Sequence, residues 1–271
     1  MARADGSVTF YFFDIDDNTL FLGTRIVLRN RNTHEERQLG TEEFAHIRHM
    51  LGEAGEWEAY ERFDGTYRYF RDRQDGELEY FVNDVAEAIS DSANTSWQAP
   101  SWRMFVHACT NKGPLVFITA RGHSPETIRA GIKLLADAGH IPCEPNYLAI
   151  FPVSNDAVKQ SILRAVPDPA ERRQIEQMRD ATSALKRFAI WQAVDLALEK
   201  YGAEPPHRFG MSDDDPGNID LIVKAMCDCK TRHPDKRFFA IDTHKGEHVK
   251  LEVFPIDFPV TRELAPGEVV G

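Results

Sequence analysis

No stretch of this 271-residue chain is apolar over anything near the roughly 20 residues needed to span a bilayer, so a helical membrane protein is excluded as a reading. The opening residues, MARADGSVTF, lack the apolar core and small-residue cleavage site of a secretory signal, and a cytoplasmic location is the expectation. Cysteine is scarce. Cys109, Cys143, Cys227 and Cys229 are too few for a disulfide framework, and the Cys227/Cys229 pair has no second pair with which to hold zinc. Reduced structural thiols are expected. Positive charge is also short: 32 Lys and Arg stand against 43 Asp and Glu, a formal net charge of -11. The resulting field repels nucleic acid and anionic membrane alike, which disfavours broad adhesion to either but leaves room for a local basic site. Internal repeats and low-complexity tracts are missing as well.

What is present is ordinary globular composition, 42% apolar and 28% charged, in a chain long enough for a full core and a smaller accessory unit. Short β-branched and aromatic runs read as buried strands at residues 8–13, 115–118, 147–151, 208–211 and 238–241. Helical patterns lie between them. Ser124-Pro125-Glu126 is a helix start, followed by an apolar face of Ile128, Ile132 and Leu135, with Gly139 placed as a C-terminal cap. Asp168-Pro169 opens another helix, and residues 218–230 carry a third apolar stripe. This alternation predicts an α/β protein with a doubly wound parallel sheet. Residues 24–96 break the rhythm with a hairpin pattern (25–39), helices over 42–51 and 77–89, and SDSANTSWQAP as a return linker. They read as a small α+β insertion packed on the main domain.

The chemistry-bearing stretch is VTFYFFDIDDNTLFLG, in which a strand runs into Asp14, Asp16 and Asp17. Strand carboxyl ends are where doubly wound sheets gather their chemistry. Asp14 and Asp16, two apart on extended chain, project the same way and can share a hard cation. A calcium loop is rejected, because position six would be Thr19 and position twelve Arg25. A second strand ends in Asp213, Asp214 and Asp215 before a Pro-Gly-Asn turn; taken alone it also reads as a helix cap. A third strand ends in Thr119 ahead of a helix N-terminus, a setting suited to a phosphate oxygen. The cation such a site needs is Lys186, with Lys133 and Lys159 as rivals.

In their order these elements resemble the haloacid dehalogenase superfamily of phosphatases and phosphotransferases. FFDIDDNTL resembles its first motif, VFITARG its second, KRFAIWQAV its third and FGMSDDDPGNID its fourth. One position departs: Asn18 stands where that family usually has Thr or Val. The resemblance implies a Rossmann-like core (residues 1–23 and 97–271) with strand order near 5-4-1-2-3, and a cap domain (24–96) inserted between the first and second motifs. It implies a Mg2+-dependent phosphomonoester hydrolase acting through an aspartyl-phosphate, on a small phosphorylated metabolite or nucleotide. Asp14 is then the nucleophile and Asp16 the proton carrier. Lys186 and Thr119 serve the phosphoryl group, and Asp14, Asp16, Asp213 and Asp214 the metal, with Asp16 contributing its backbone carbonyl. The presence of Asp16 favours phosphoryl transfer over dehalogenation, in which a halide leaves without a proton. Arg121 and His123, just past the second motif, are candidates for substrate contact. Arg62, Arg68, Arg71 and Arg73 read either as an anion-binding cluster or as a solvated, charge-balanced surface, since acids interleave them. Competing readings are a phosphomutase, a nucleic-acid end phosphatase and a non-catalytic binding protein. Nothing in the sequence speaks to oligomeric state.

Overall fold

The computed structural model describes residues 4–73, 75, 77–90, 95–178, 181–246 and 248–254, and the backbone of 262–263. The return linker, residues 90–100, falls partly outside them. The first strand, β1 (Thr9–Phe13), alternates its side chains between the two faces of the main sheet. The chain then forms a small separate sheet from β2 (Ile26–Asn30), β3 (Glu36–Leu39) and β4 (Tyr60–Glu61), with α1 (Thr41–Ile47) beside it. Ile26, Leu28, Leu39, Phe44, Ile47 and Trp57 make its own apolar cluster. Next come α2 (Tyr80–Ala88), α3 (Trp102–Thr110), β5 (Pro114–Thr119), α4 (Pro125–Asp137) and β6 (Asn146–Pro152). A helical run follows, α5 (Asp156–Ala165), α6 (Pro169–Gln177) and α7 (Thr182–Tyr201). The chain continues with β7 (Arg208–Asp213), α8 (Pro216–Arg232), β8 (Arg237–Asp242), β9 (Val249–Val253) and β10 (Arg262–Glu263).

The protein is therefore α/β with a mostly parallel sheet, ordered β10-β9-β8-β7-β1-β5-β6. The strands from β8 to β6 pair in parallel, and β9 and β10 add antiparallel strands at one edge. The five strands anticipated from the sequence lie in the order fifth, fourth, first, second, third. Four of them run a residue or two beyond the anticipated bounds, and β1 starts one residue later than anticipated and ends at the same Phe13. The antiparallel edge has no comparable sequence signal, because VKLEV carries two charges in five residues.

Helix ends form where the capping chemistry lies. The Ser124 hydroxyl accepts from the Thr127 N–H at 3.1 Å, and Asp168 and Asp215 cap α6 and α8 in the same way. Gly139 takes φ +79° just past α4, a conformation that favours glycine.

Handedness decides which face each helix covers. The connection from β5 to β6 runs one way across the sheet, and those from β6 to β7 and β7 to β8 run the other. With right-handed crossovers, α4 must sit on one face and α5–α8 on the opposite one. The buried clusters follow this division: Phe10, Phe12, Met211 and Phe238 pack with α7 and α8, whereas Phe13, Leu115 and Phe117 pack with α3 and α4. Among the described residues no helix covers the second face beyond β1, over β7–β9.

The inserted segment is not uniform. Its small sheet keeps its own cluster, but Phe81 and Val85 of α2 are buried in the core beside Ile128, Ile132 and Leu135 of α4. The contact relies on Gly131, where an added Cβ would stand 2.6 Å from the Phe81 ring. In an open helix, Gly131→Ala gains about 1 kcal/mol from propensity. Here overpacking of about 1–3 kcal/mol opposes that gain. We expect Gly131→Ala to lower the melting temperature by about 2–4 °C. Calorimetry checks this, and a rise would show that the Phe81 ring yields freely.

Candidate active site

β1 and β7 are neighbours and run parallel, so they deliver Asp14 and Asp213 to the same edge of the sheet. The Asp14 N–H donates to the Ser212 carbonyl at 3.1 Å, continuing the ladder past the end of β1. Both carboxylates are buried, at 7% and 0% exposure. Between them stands Lys186, 2% exposed, its Nζ 3.3 Å from Asp14 Oδ1 and 3.0 Å from Asp213 Oδ2. It comes from the first turns of α7, which spans 20 residues and packs Leu185, Phe188, Ala189 and Ile190 around it. Lys133 is instead tied to Asp137 on the exposed side of α4.

Asp214 completes a group with Asp14 and Asp213 in which one oxygen from each lies within 4.8 Å of the others. Burial holds Asp14 well above the usual carboxylate range against the pull of Lys186, with Asp213, Asp16 and Asp214 adding like-charge repulsion. Burial and the charge of Asp213 push Asp214 up to about 8. Lys186 is held above its ordinary value by the two carboxylates, although burial alone works the other way. Asp14 Oδ1 is buried and has no hydrogen-bond partner; Lys186 reaches it only as an ion pair. An oxygen-only donor set with excess negative charge and an orphaned buried oxygen fits a hard divalent cation.

The three acids of the second cluster have separate duties. Asp213 Oδ1 accepts from the Asp215 N–H at 3.1 Å and from Asn218 Nδ2 at 2.9 Å. Asp215 caps α8 by accepting from the Gly217 N–H at 2.8 Å. The cap reading and the site reading of this turn are both met, by different residues. Asn218 was not singled out in the sequence; its signal is its position in the first turn of α8, from which its amide reaches back to the strand end.

The first cluster also divides. Asp17 takes φ +57°, accepts from the Thr41 hydroxyl at 3.1 Å, and is pushed up to about 6, chiefly by burial and then by Asp16. The Asp16 side chain lies outside the acidic group and faces Arg121. Both its oxygens accept from Arg121 Nε, at 3.2 and 2.9 Å, and Oδ1 also accepts from Nη2 at 2.5 Å. Arg121 is fully buried between the Phe70 and Phe81 rings, donates to the Thr24 hydroxyl at 2.8 Å, and leaves Nη1 without a partner. His123 is buried against Phe81 with neither ring nitrogen hydrogen-bonded; burial pulls it down to about 3, with Arg121 adding to this. Thr119 is buried at the end of β5, where its hydroxyl accepts from the Arg121 N–H at 3.3 Å. Of the inserted arginines, Arg68 is paired with Glu36, and Arg73 with Asp75 and Glu77. Arg68 and Arg73 are thus charge-balanced, while Arg71 forms a backbone bridge to Gly122.

Asn18 is the most connected residue of the first loop. Its Nδ2 lies 3.0 Å from the Asp14 carbonyl, 3.1 Å from the Ser212 carbonyl and 3.0 Å from Ser212 Oγ. Its Oδ1 accepts from Ser101 Oγ at 2.8 Å and from Thr243 Oγ1 at 2.9 Å. Thr19 adds a 2.6 Å hydroxyl bond to the Asp14 carbonyl. A carboxamide is required here because the site needs both a donor and acceptors without a further charge. Compared with protein-family models, curated proteins and solved structures, the chain matches none.

Two measurements test this arrangement. Asn18→Ala leaves buried partners unsatisfied and should destabilise the fold by about 2–4 kcal/mol in urea titrations. Asp214 sits above its unfolded value, so the folded state holds a proton that the unfolded state has released. Stability without divalent cations should therefore fall as pH rises from 7 to 9, a window above the titration of unfolded His123. Asp214→Asn should flatten that slope. Melting curves in chelator check it, and an equal slope in both proteins would contradict the placement.

Proposed function

We propose that this protein is a Mg2+-dependent phosphomonoester hydrolase of the haloacid dehalogenase type, with residues 24–96 as its cap. The observation that carries the reading is the buried Lys186 bridging Asp14 and Asp213 at the carboxyl ends of adjacent parallel strands, with Asp214 beside them. Structural ion pairs are seldom assembled from three strand-end carboxylates and one lysine at a single sheet edge, because the excess negative charge destabilises the fold unless a ligand offsets it.

Asp14, Asp213 and Asp214 would hold Mg2+, together with the Asp16 backbone carbonyl. When bound, the ion offsets the charge of the carboxylates and of the phosphoryl oxygens. The remaining chemistry belongs to the chain. An Asp14 oxygen attacks phosphorus; the O–P bond to Asp14 forms as the ester P–O bond breaks. Asp16, which accepts from Arg121 with both oxygens, first leaves that pairing and takes up a proton, then gives it to the departing alkoxide. It then takes one from the water that attacks the aspartyl-phosphate, and phosphate leaves as Asp14 is regenerated. Lys186 fixes the orientation of Asp14, and the Thr119 hydroxyl donates to a phosphoryl oxygen. Arg121 orients Asp16, and its unpartnered Nη1 is the atom that remains for a substrate oxygen. His123, uncharged in its buried setting, supplies shape at the substrate end. A small phosphorylated metabolite or nucleotide suits this site better than a nucleic-acid end, given the net charge of -11.

A phosphate-release screen over a metabolite panel, with and without Mg2+, tests the reading. We expect release that depends on Mg2+ and falls by at least about 10³-fold in kcat in Asp14→Asn, without loss of folding stability. Near wild-type turnover in that variant would refute the mechanism. Transfer of phosphate between substrate positions without release would convert the reading to a mutase.

A further inference from the structure

Asp16 is not free to act on a substrate in the arrangement the structure shows. Both its oxygens are taken up by Arg121, with Nε at 3.2 and 2.9 Å and Nη2 at 2.5 Å. Of the two partners the guanidinium is the fixed one. The Arg121 side chain is fully buried, whereas that of Asp16 is 18% exposed. The guanidinium carbon lies 4.9 Å from the Phe70 ring centroid and 4.8 Å from that of Phe81. Nη2 also donates to the Thr24 hydroxyl at 2.8 Å, and that hydroxyl donates to Asp84. A hydroxyl has one proton, so its bond to Asp84 turns its lone pairs toward Arg121.

If Asp16 simply left, a buried cation would stand with no carboxylate against it, which is strongly unfavourable. Asp84 reaches Arg121 through the Thr24 hydroxyl rather than directly. Something anionic must therefore take the place of Asp16. Hydrogen bonding around Arg121 is incomplete as well. Arg121 Nη1 and both ring nitrogens of the fully buried His123 have no partner, and both residues pack on the Phe81 ring. Buried polar atoms are nearly always paired, so three orphans on two neighbouring residues mark a place for a ligand.

We propose that the substrate carries a carboxylate that replaces Asp16 on Arg121 and so releases Asp16 for proton transfer; the substrate class is a small phosphorylated carboxylic acid. The inference rests on the hydrolase reading. The fork of Nε and Nη2 already holds a carboxylate in two-pronged fashion, and the incoming group repeats that geometry. A neutral His123 ring adds one N–H to the same group. Entry is from the side of Asp16, the exposed partner. The exchange swaps one ion pair for another and breaks no covalent bond. Cα atoms two residues apart are at most about 7.6 Å from each other, so a phosphoryl group at Asp14 and a carboxylate beside Asp16 belong to one small molecule.

The test uses the full chain with Mg2+ and three esters: the phosphate of 3-hydroxypropanoate, the phosphate of 3-hydroxypropanamide, and 1,3-propanediol bisphosphate. We expect the wild type to favour the carboxylate over the amide by about 10²-fold in kcat/KM, with part of the difference in kcat because Asp16 is released. In Arg121→Gln that ratio should fall to within about threefold. The ratio compares two substrates on one preparation, so partial misfolding does not move it. Should Arg121→Gln fail to fold altogether, His123→Phe keeps a ring against Phe81 and should cut the ratio by about threefold to tenfold. Equal turnover of acid and amide by the wild type would overturn the inference and leave the hydrolase reading standing. A preference for the bisphosphate over the acid would overturn the carboxylate assignment, and a ratio unchanged in the variants would overturn the part given to Arg121 and His123. Absence of release from all three esters and from the metabolite panel would overturn the hydrolase reading, and this inference with it.

Discussion

The structure depends on one buried ammonium. Two adjacent parallel strands end in carboxylates at the same edge, and without a cation they would repel each other across a site that excludes water. Lys186 resolves this from the third direction, on a helix that crosses beneath both strand ends. Its partners explain why α7 is long and apolar on most sides: Leu185, Phe188, Ala189 and Ile190 must be buried for Lys186 to be positioned. Removing Lys186 leaves two buried carboxylates that nothing compensates, at a cost of about 3–5 kcal/mol, whereas removing Asp14 leaves Lys186 paired with Asp213. The same arrangement leaves an excess of negative charge beside the lysine, and that excess suits the edge to a cation.

Around this charged centre the protein uses neutral hydrogen bonding. Asn18 joins the end of β1 to Ser212 on β7, to Ser101 before α3 and to Thr243 after β8. A Thr or Val at this position would keep the loop's bulk but not its four-way connection. An Asp would bring a further carboxylate to a site already overloaded with them. The Ser101, Ser212 and Thr243 hydroxyls are arranged to meet both ends of this one amide.

Much of this was legible in the sequence because the signals were local. Buried strands announce themselves by short β-branched and aromatic runs, and Asp14, Thr119 and Asp213 lie at the ends of such runs, where chain direction fixes their placement; Lys186 was legible instead from the helical pattern that carries it. Other features depend on tertiary pairing. Nothing near Arg121 indicates that it would turn from the substrate side to grip Asp16, since its partners Thr24, Phe70 and Phe81 are all at least 40 residues away along the chain. The edge strand β9 and the helix α3 were missed for different reasons. β9 is interrupted by two charges and is fixed by its neighbour β8, whereas α3 carries a legible apolar stripe of Trp102, Phe105, Ala108 and Cys109 that was not taken as a helix.

The inserted segment shows how such neighbours also divide a unit that reads as one in the sequence. The helix α1 beside its small sheet touches the acidic edge through a Thr41–Asp17 hydrogen bond and an exposed Arg48–Asp215 pair at 3.5 Å. An exposed pair of that length contributes little. The α2 contact is of another kind: Phe81 and Val85 are fully buried, and burying two such side chains stabilises by roughly 3–6 kcal/mol. Any opening over the acidic edge therefore breaks the first set of contacts long before the second. The inserted sheet is thus tied to the acidic edge more weakly than α2 is tied to the core, and Phe81 of α2 also flanks Arg121 as one wall of the Arg121–Asp16 pair. The other wall, Phe70, lies just before Arg71, where the segment bridges to Gly122, so the inserted segment reaches the Arg121–Asp16 pair from that side.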